Sequence, residues 1–120
     1  MDLKNHVKEM DDMVSQGDIV NAVKYFAETA TTSDYGKVTT ATKAQMVEKM
    51  EGFTNAIARV NSIIHHHSIV DGDVSASEFT FDFDMKDGSS IYWHEIIRRS
   101  WSPEGRVMQE VYFDAKNDKP

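Results

Sequence analysis

Three consecutive histidines, His65, His66 and His67, lie in the interior of a chain that holds only five. Imidazole titrates near neutral pH, and its neutral form ligates metals. The run therefore offers three chemistries: a metal site, proton handling in a pocket, or polar filling of a sheet surface or subunit seam. Two further groups could act with it. Asp34 closes the threonine-rich stretch "TATTSD", and "SSIYWHEIIRRSW" places Trp93, Glu95 and Arg99 at alternating positions. There is no cysteine, which excludes thiolate nucleophiles, thiolate metal ligands and disulfides.

What these groups can do depends on the elements that carry them. Leu3, Val7, Met10 and Val14 recur at helical spacing, and Gly17 ends the pattern. Asp18 can cap a shorter second helix over "DIVNAVKYFAE", whose Ala22, Val23, Phe26 and Ala27 form one apolar stripe. "TATTSDYGKVTT" reads as a short strand and a loop broken at Gly36. Thr42, with Gln45 at capping-box spacing, starts a third helix with a buried stripe of Met46, Met50, Phe53 and Ile57.

After Val60 the period changes to two. A strand from about Asn61 to Val70 meets the Asp71-Gly72 turn signal. "DVSASEFTFDFDM" follows with Phe79, Phe81, Phe83 and Met85 on one face. Asp87-Gly88 then turns the chain into "SSIYWHEIIRRSW", and "SPEG" reverses it into the last strand, "RVMQEVYFD". The expected fold class is α+β, with three N-terminal helices packed on one face of a curled antiparallel sheet, a four-strand meander. Such a sheet forms a cone with a pocket in its mouth, lined by aromatic and methionine side chains. One domain over residues 1–115 and a solvated tail over 116–120 account for the whole length.

Strand geometry sorts the candidates by face. His65 and His67 are expected to share one face with Ile63 and Ile69, and His66 the other with Ile64 and Val70. Histidines at i and i+2 lie about 6.5–7 Å apart along a strand, which suits a metal only where a third ligand converges. Asp34 or Glu95 would have to supply it, and the expectation is no metal and no cofactor. Ile91, Trp93, Glu95, Ile97, Arg99 and Trp101 alternate with Tyr92, His94, Ile96, Arg98 and Ser100. Glu95 and Arg99 would form an ion pair, as a substrate clamp or as a structural bridge. Met10, Met46 and Met50 are core filler. Several strands are apolar on both faces, so a homodimer through the sheet is expected. His66 or His94 at that seam would weaken association below about pH 6.

The charge of −7 and a pI near 5.1 argue against nucleic acid as a partner. The densely charged stretch from Met1 to Val14 argues against a secretory signal, and no apolar run approaches membrane-spanning length. A cytoplasmic location is the expectation.

Three stretches, in order, carry a resemblance. "GDIVNAVKYFAETATTSD" (Gly17 to Asp34), "IVDGD" (Ile69 to Asp73) and the ending "EGRVMQEVYFDA" resemble the nuclear transport factor 2-like superfamily, especially its SnoaL-like and ketosteroid isomerase-like members. The resemblance implies a cone-shaped α+β barrel. It also implies a small apolar or partly polar organic ligand, with cofactor-free isomerisation, cyclisation or dehydration, or else non-enzymatic ligand binding on the same fold. Asp34 sits where the isomerase-type members carry their catalytic carboxylate, which an apolar pocket would make a better base. The tyrosine and protonated aspartate of the family's oxyanion clamp fall on Met10 and near Ile97, so steroid isomerisation by that route is not implied. The expected site is Asp34 as base with His65 or His67 as second proton handler. Tyr35, Trp93, Glu95 and Arg99 are expected around the substrate.

Overall fold

The N-terminal helix α1 (Leu3–Ser15) starts where the Asp2 carboxylate accepts from the Asn5 amide, and it stops before Gly17, whose φ is 75°. These and the following elements come from a computed structural model that describes residues 2–115; the expected tail, 116–120, lies outside them. Helix α2 (Ile19–Ala22), capped by Asp18, is a single turn, continued by a 3-10 turn over Val23–Tyr25. The expected helix is thus cut short, and the chain is already extended at Phe26. Val23, Tyr25 and Phe26 are poor helix formers, and the pairing of Phe26 with Val107 in the sheet wins.

Strands β1 (Phe26–Asp34) and β2 (Lys37–Thr40) form a hairpin. Helix α3 (Lys43–Asn55) follows, with Thr42 accepting from the Gln45 amide as its cap. Ile57, expected on this helix, instead begins β3 (Ile57–Asp71), which leads to β4 (Val74–Met85), β5 (Ser90–Trp101) and β6 (Val107–Ala115). The expected meander β3–β6 is present, and the hairpin extends it to six strands in the order β2-β1-β6-β5-β4-β3. One pair departs from the expected antiparallel arrangement: β1 runs parallel to β6. No hairpin joins these two strands, so no turn dictates their relative direction. The sheet curls without closing, and α3 reaches from β1 and β2 across to β3.

The helices fill the concave face. Val7, Met10 and Val14 of α1 and Met46 of α3 join Phe26, Ala30, Phe79, Ile97, Trp101 and Val107 in one core. The indole of Trp101 is satisfied inside it by Ser75 Oγ at 2.9 Å. No helix among the described residues is long and apolar enough to cross a membrane.

Edge strand β3 is bent by three irregularities in its register with β4, and one falls inside the histidine run. His65 pairs with Phe79 and His67 with Glu78, so His66 is the extra residue. A bulge resets the alternation of faces. His65 therefore points to the concave side with Ile63, Ser68 and Val70. His67 joins His66 on the outer side, against the expectation that His65 and His67 share a face.

Candidate functional site

Alternation along β5 puts Ile97, Arg99 and Trp101 on the concave face, and all three are buried. A guanidinium keeps its charge wherever it is placed, so at 1% exposure it must find carboxylates. Arg99 Nη1 donates to Asp11 Oδ1 at 2.8 Å, and Nε donates to Glu110 Oε2 at 2.8 Å. Asp11 comes from the buried stripe of α1, and Glu110 lies opposite Arg99 in the β5–β6 register. Ser68 Oγ and Ser77 Oγ both donate to Asp11 Oδ2 at 2.7 Å. Each hydroxyl has one proton, and both protons go to Asp11. His65 Nε2, 2.6 Å from Ser68 Oγ, is therefore the donor in that contact. Tyr112 donates to Glu110 Oε1. One cation between two carboxylates leaves a net negative charge inside the protein.

That charge acts on Glu95, which shares the concave face with Ile97 and lies opposite Asp114 on β6 and Phe79 on β4. Burial first, then the charges of Glu110, Asp114 and Asp34, push its carboxyl up to about 8, against the opposing pull of Arg99. At neutral pH Glu95 is thus a neutral acid with a proton to donate. Burial, then Glu110, also hold the Tyr112 hydroxyl well above its ordinary value. Among the described residues Asp114 Oδ1 is buried with no hydrogen-bond partner. Asp34, the last residue of β1, lies beside Tyr112 in the β1–β6 register and is exposed to solvent. Trp93 stacks on Phe53 of α3 at 5.5 Å, and Phe53 meets Phe83 edge-on at 5.8 Å. The row combines a protonated acid, flanking carboxylates and an aromatic wall.

Of the expected site residues, the fold brings Asp34, Trp93, Glu95, Arg99 and His65 to the concave side. Glu95 and Arg99 do not form the expected ion pair, because Asp11 and Glu110 hold the guanidinium on both sides. Tyr35 is not with Trp93. It sits at φ 52° in the β1–β2 turn, 64% exposed, with its hydroxyl on the Asp114 carbonyl and its ring 5.6 Å from Phe113. His67 is on the outer face beside Glu78. There His66 contacts Thr80 Oγ1 at 2.6 Å and lies 5.2 Å from the His94 ring, and His94 Nε2 is 2.5 Å from Glu78 Oε2. No group of three or more His, Cys, Asp or Glu among the described residues could hold a metal ion. Met10 and Ile97 are both buried in the core.

Sequence reasoning missed Asp11, Glu110, Tyr112 and Asp114. Asp11 had a signal: it follows Val7 by four and precedes Val14 by three, on the apolar stripe of its helix. Glu110, Tyr112 and Asp114 alternate on one face of the last strand, an acidic face in a strand that had to be half-buried.

No protein-family model and no curated protein sequence matches the chain. Solved structures do. A SnoaL-like, polyketide cyclase-type protein of Mesorhizobium loti superposes with a TM-score of 0.81 at 19% identity, over 93% of this chain and 98% of that one. The chain has the nuclear transport factor 2-like fold. Two further proteins with this fold show its range. The epoxide hydrolase/cyclase-like enzyme SalBIII, of pyran ring formation in the polyether salinomycin, matches at 22% identity and a TM-score of 0.75 over 94% and 90% of the chains. A Burkholderia pseudomallei protein of unknown function matches at 12% and 0.74 over 93% and 89%. On this fold the concave face carries Arg99, Asp11, Glu110, Glu95 and Asp114.

Two stability measurements probe that face. Arg99→Met leaves Asp11 and Glu110 buried without their cation and should cost about 3–5 kcal/mol in urea unfolding; a loss below about 1 kcal/mol would mean that the trio is not buried as described. For Glu95, folding raises the carboxyl from its ordinary 4.5 to about 8, so the folded state binds the extra proton and stability falls as pH rises across that window. Glu95→Gln should therefore raise the melting temperature by about 5 °C at pH above 8 and change it little near the unfolded value. An equal effect at both ends would contradict the assignment.

Proposed function

We propose that this protein is a small-molecule enzyme working by acid–base chemistry without a cofactor on an apolar or partly polar organic substrate. It would be an isomerase, cyclase or dehydratase. The arrangement that carries this reading is Glu95, a half-buried carboxyl on the concave face opposite Asp114 and beside the aromatic wall of Trp93 and Phe53, pushed up to about 8 by burial and by neighbouring carboxylates. Two carboxyl groups in different environments divide the roles of acid and base. Glu95 donates a proton or hydrogen bond to an oxygen that gains negative charge. Asp34, on the same face and in solvent, removes a proton. Glu95 also answers the missing oxyanion donors, since it lies on the same face of the same strand, one alternation from Ile97. His65 does not touch substrate in this scheme. It orients Asp11, and thus Arg99, through Ser68.

Support for the chemistry also comes from the fold neighbours, one named as a SnoaL-like polyketide cyclase and one as epoxide hydrolase/cyclase-like. The exposure of Asp34 favours a second reading, a non-enzymatic ligand-binding module. Native mass spectrometry after exposure to a metabolite extract identifies the substrate by its bound mass. With it in hand, Glu95→Gln and Asp34→Asn should each lower kcat by about 10²-fold or more. For the wild type, kcat/KM should fall as pH rises through about 8, where Glu95 loses its proton. Turnover unchanged in both variants would overturn the roles given to Glu95 and Asp34, and binding of the identified molecule with no turnover by the wild type would leave only the binding reading.

The outer face supports a homodimer, as a separate element of the proposal. Ile64 and Ile69 on β3 are 47% and 60% exposed there, and Tyr92 and Ile96 on β5 and Phe113 on β6 are half-buried, with the outer face of β4 between the two groups. Sedimentation at micromolar concentration should show two copies, and a monomer at neutral pH would rule the dimer out.

A further inference from the structure

The proposed chemistry leaves the histidine run largely unused, and the fold gives it a place of its own. A cavity of about 520 Å³ opens between α1 and edge strand β3, lined by Lys4, Val7, Lys8, His65, His66, His67, Ser68 and Val70 and by neither Glu95 nor Trp93. Its size is that of a small-ligand site. In a chain with net charge −7, this lining contains two lysines, three histidines and no carboxylate. The bulge at His66 makes that possible, since it turns successive imidazoles to both sides of one sheet edge.

The carboxylates adjoining the cavity are engaged elsewhere. Asp11, 3.5 Å from His65 Nε2, is held by Arg99, Ser68 and Ser77. Glu78 is paired with His94. Asp12 holds Lys8 at 2.9 Å, but both partners are solvent-exposed and such pairs are easily displaced by a bound anion. At the cavity wall the proton on His65 Nε2 is committed to Ser68 Oγ, and the ring also stacks on Phe79 at 5.0 Å. The imidazole is thereby fixed, with Nδ1 as its remaining polar atom.

We propose that this cavity is a binding site for the phosphate group of a small phosphate monoester. Two lysines of the helix and the histidines of the bulged strand line it, and ammonium groups, as point charges, suit a tetrahedral anion. A planar carboxylate is better matched by the fork of an arginine, and none lines the cavity. Val7 and Val70 provide apolar surface for the organic part of the ester.

The test follows the histidine ring signals by NMR on full-length protein labelled at histidine, titrated with inorganic phosphate and with phenyl phosphate at constant ionic strength. Both probes should shift the rings of His65 and His67 saturably and leave His6, which lies against Tyr25 and Trp101, unmoved. Phenyl phosphate should bind more tightly. Lys4→Ala/Lys8→Ala, which changes only exposed helix positions, should weaken both by about tenfold or more. Shifts that do not saturate, that sodium chloride reproduces, or that persist unchanged in the double variant would overturn the site. Phenyl phosphate binding no tighter than inorganic phosphate would overturn its assignment to an ester.

Discussion

Arg99 is a permanent cation inside a small protein, and much of the concave face is arranged around that fact. Its two carboxylate partners come from opposite ends of the chain, Asp11 on α1 and Glu110 on β6, and Asp11 is held further by Ser68 of β3 and Ser77 of β4. One ionic unit therefore ties the first helix to four consecutive strands. Desolvating three charges offsets much of their attraction, so the unit adds less stability than its contacts suggest. Its effect is on specificity. α1 could slide along an apolar surface at little cost, but not with Asp11 required to meet a guanidinium and two hydroxyls.

The same unit sets the chemistry next to it. One guanidinium cannot neutralise two carboxylates, and the surplus negative charge falls on the neighbouring face of β5 and β6. Glu95 is the group that responds, because it is buried enough to lose solvation and close enough to Glu110, Asp114 and Asp34 to be repelled. Burial is the first cause of that shift, and within the ion cluster Glu110 adds to it while Arg99 opposes it.

The bulge at His66 divides the histidine triplet between two environments. His65 belongs to the interior through Ser68 and Asp11, while His66 and His67 belong to the outer face with Glu78, Thr80 and His94. One extra residue in an edge strand turns what looks like a repetitive sequence into three side chains with different partners. The unclosed sheet permits it, since an edge strand has no neighbour on its far side to enforce the register.

The sequence by itself determined the order of elements except for strand β2, which reads as a loop, together with the caps at Asp18 and Thr42, the turns at Gly72 and Gly88, and the face of β5 that carries Trp93, Glu95, Ile97 and Arg99. These rest on local rules of helical period, strand alternation, capping and turn chemistry, which read from a few neighbouring residues. The length of α2 and the start of β1 were not legible, because a sheet partner some eighty residues away decided them. Only the tertiary structure decided that β1 lies parallel to β6, that Arg99 pairs with Asp11 and Glu110 rather than Glu95, and that His65 and His67 part company. Asp11 was written on the apolar stripe of its helix, yet nothing local says that an arginine eighty-eight positions later will meet it. Side-chain ionisation at Glu95 is likewise a sum over charges from several strands, and only folding brings those charges together.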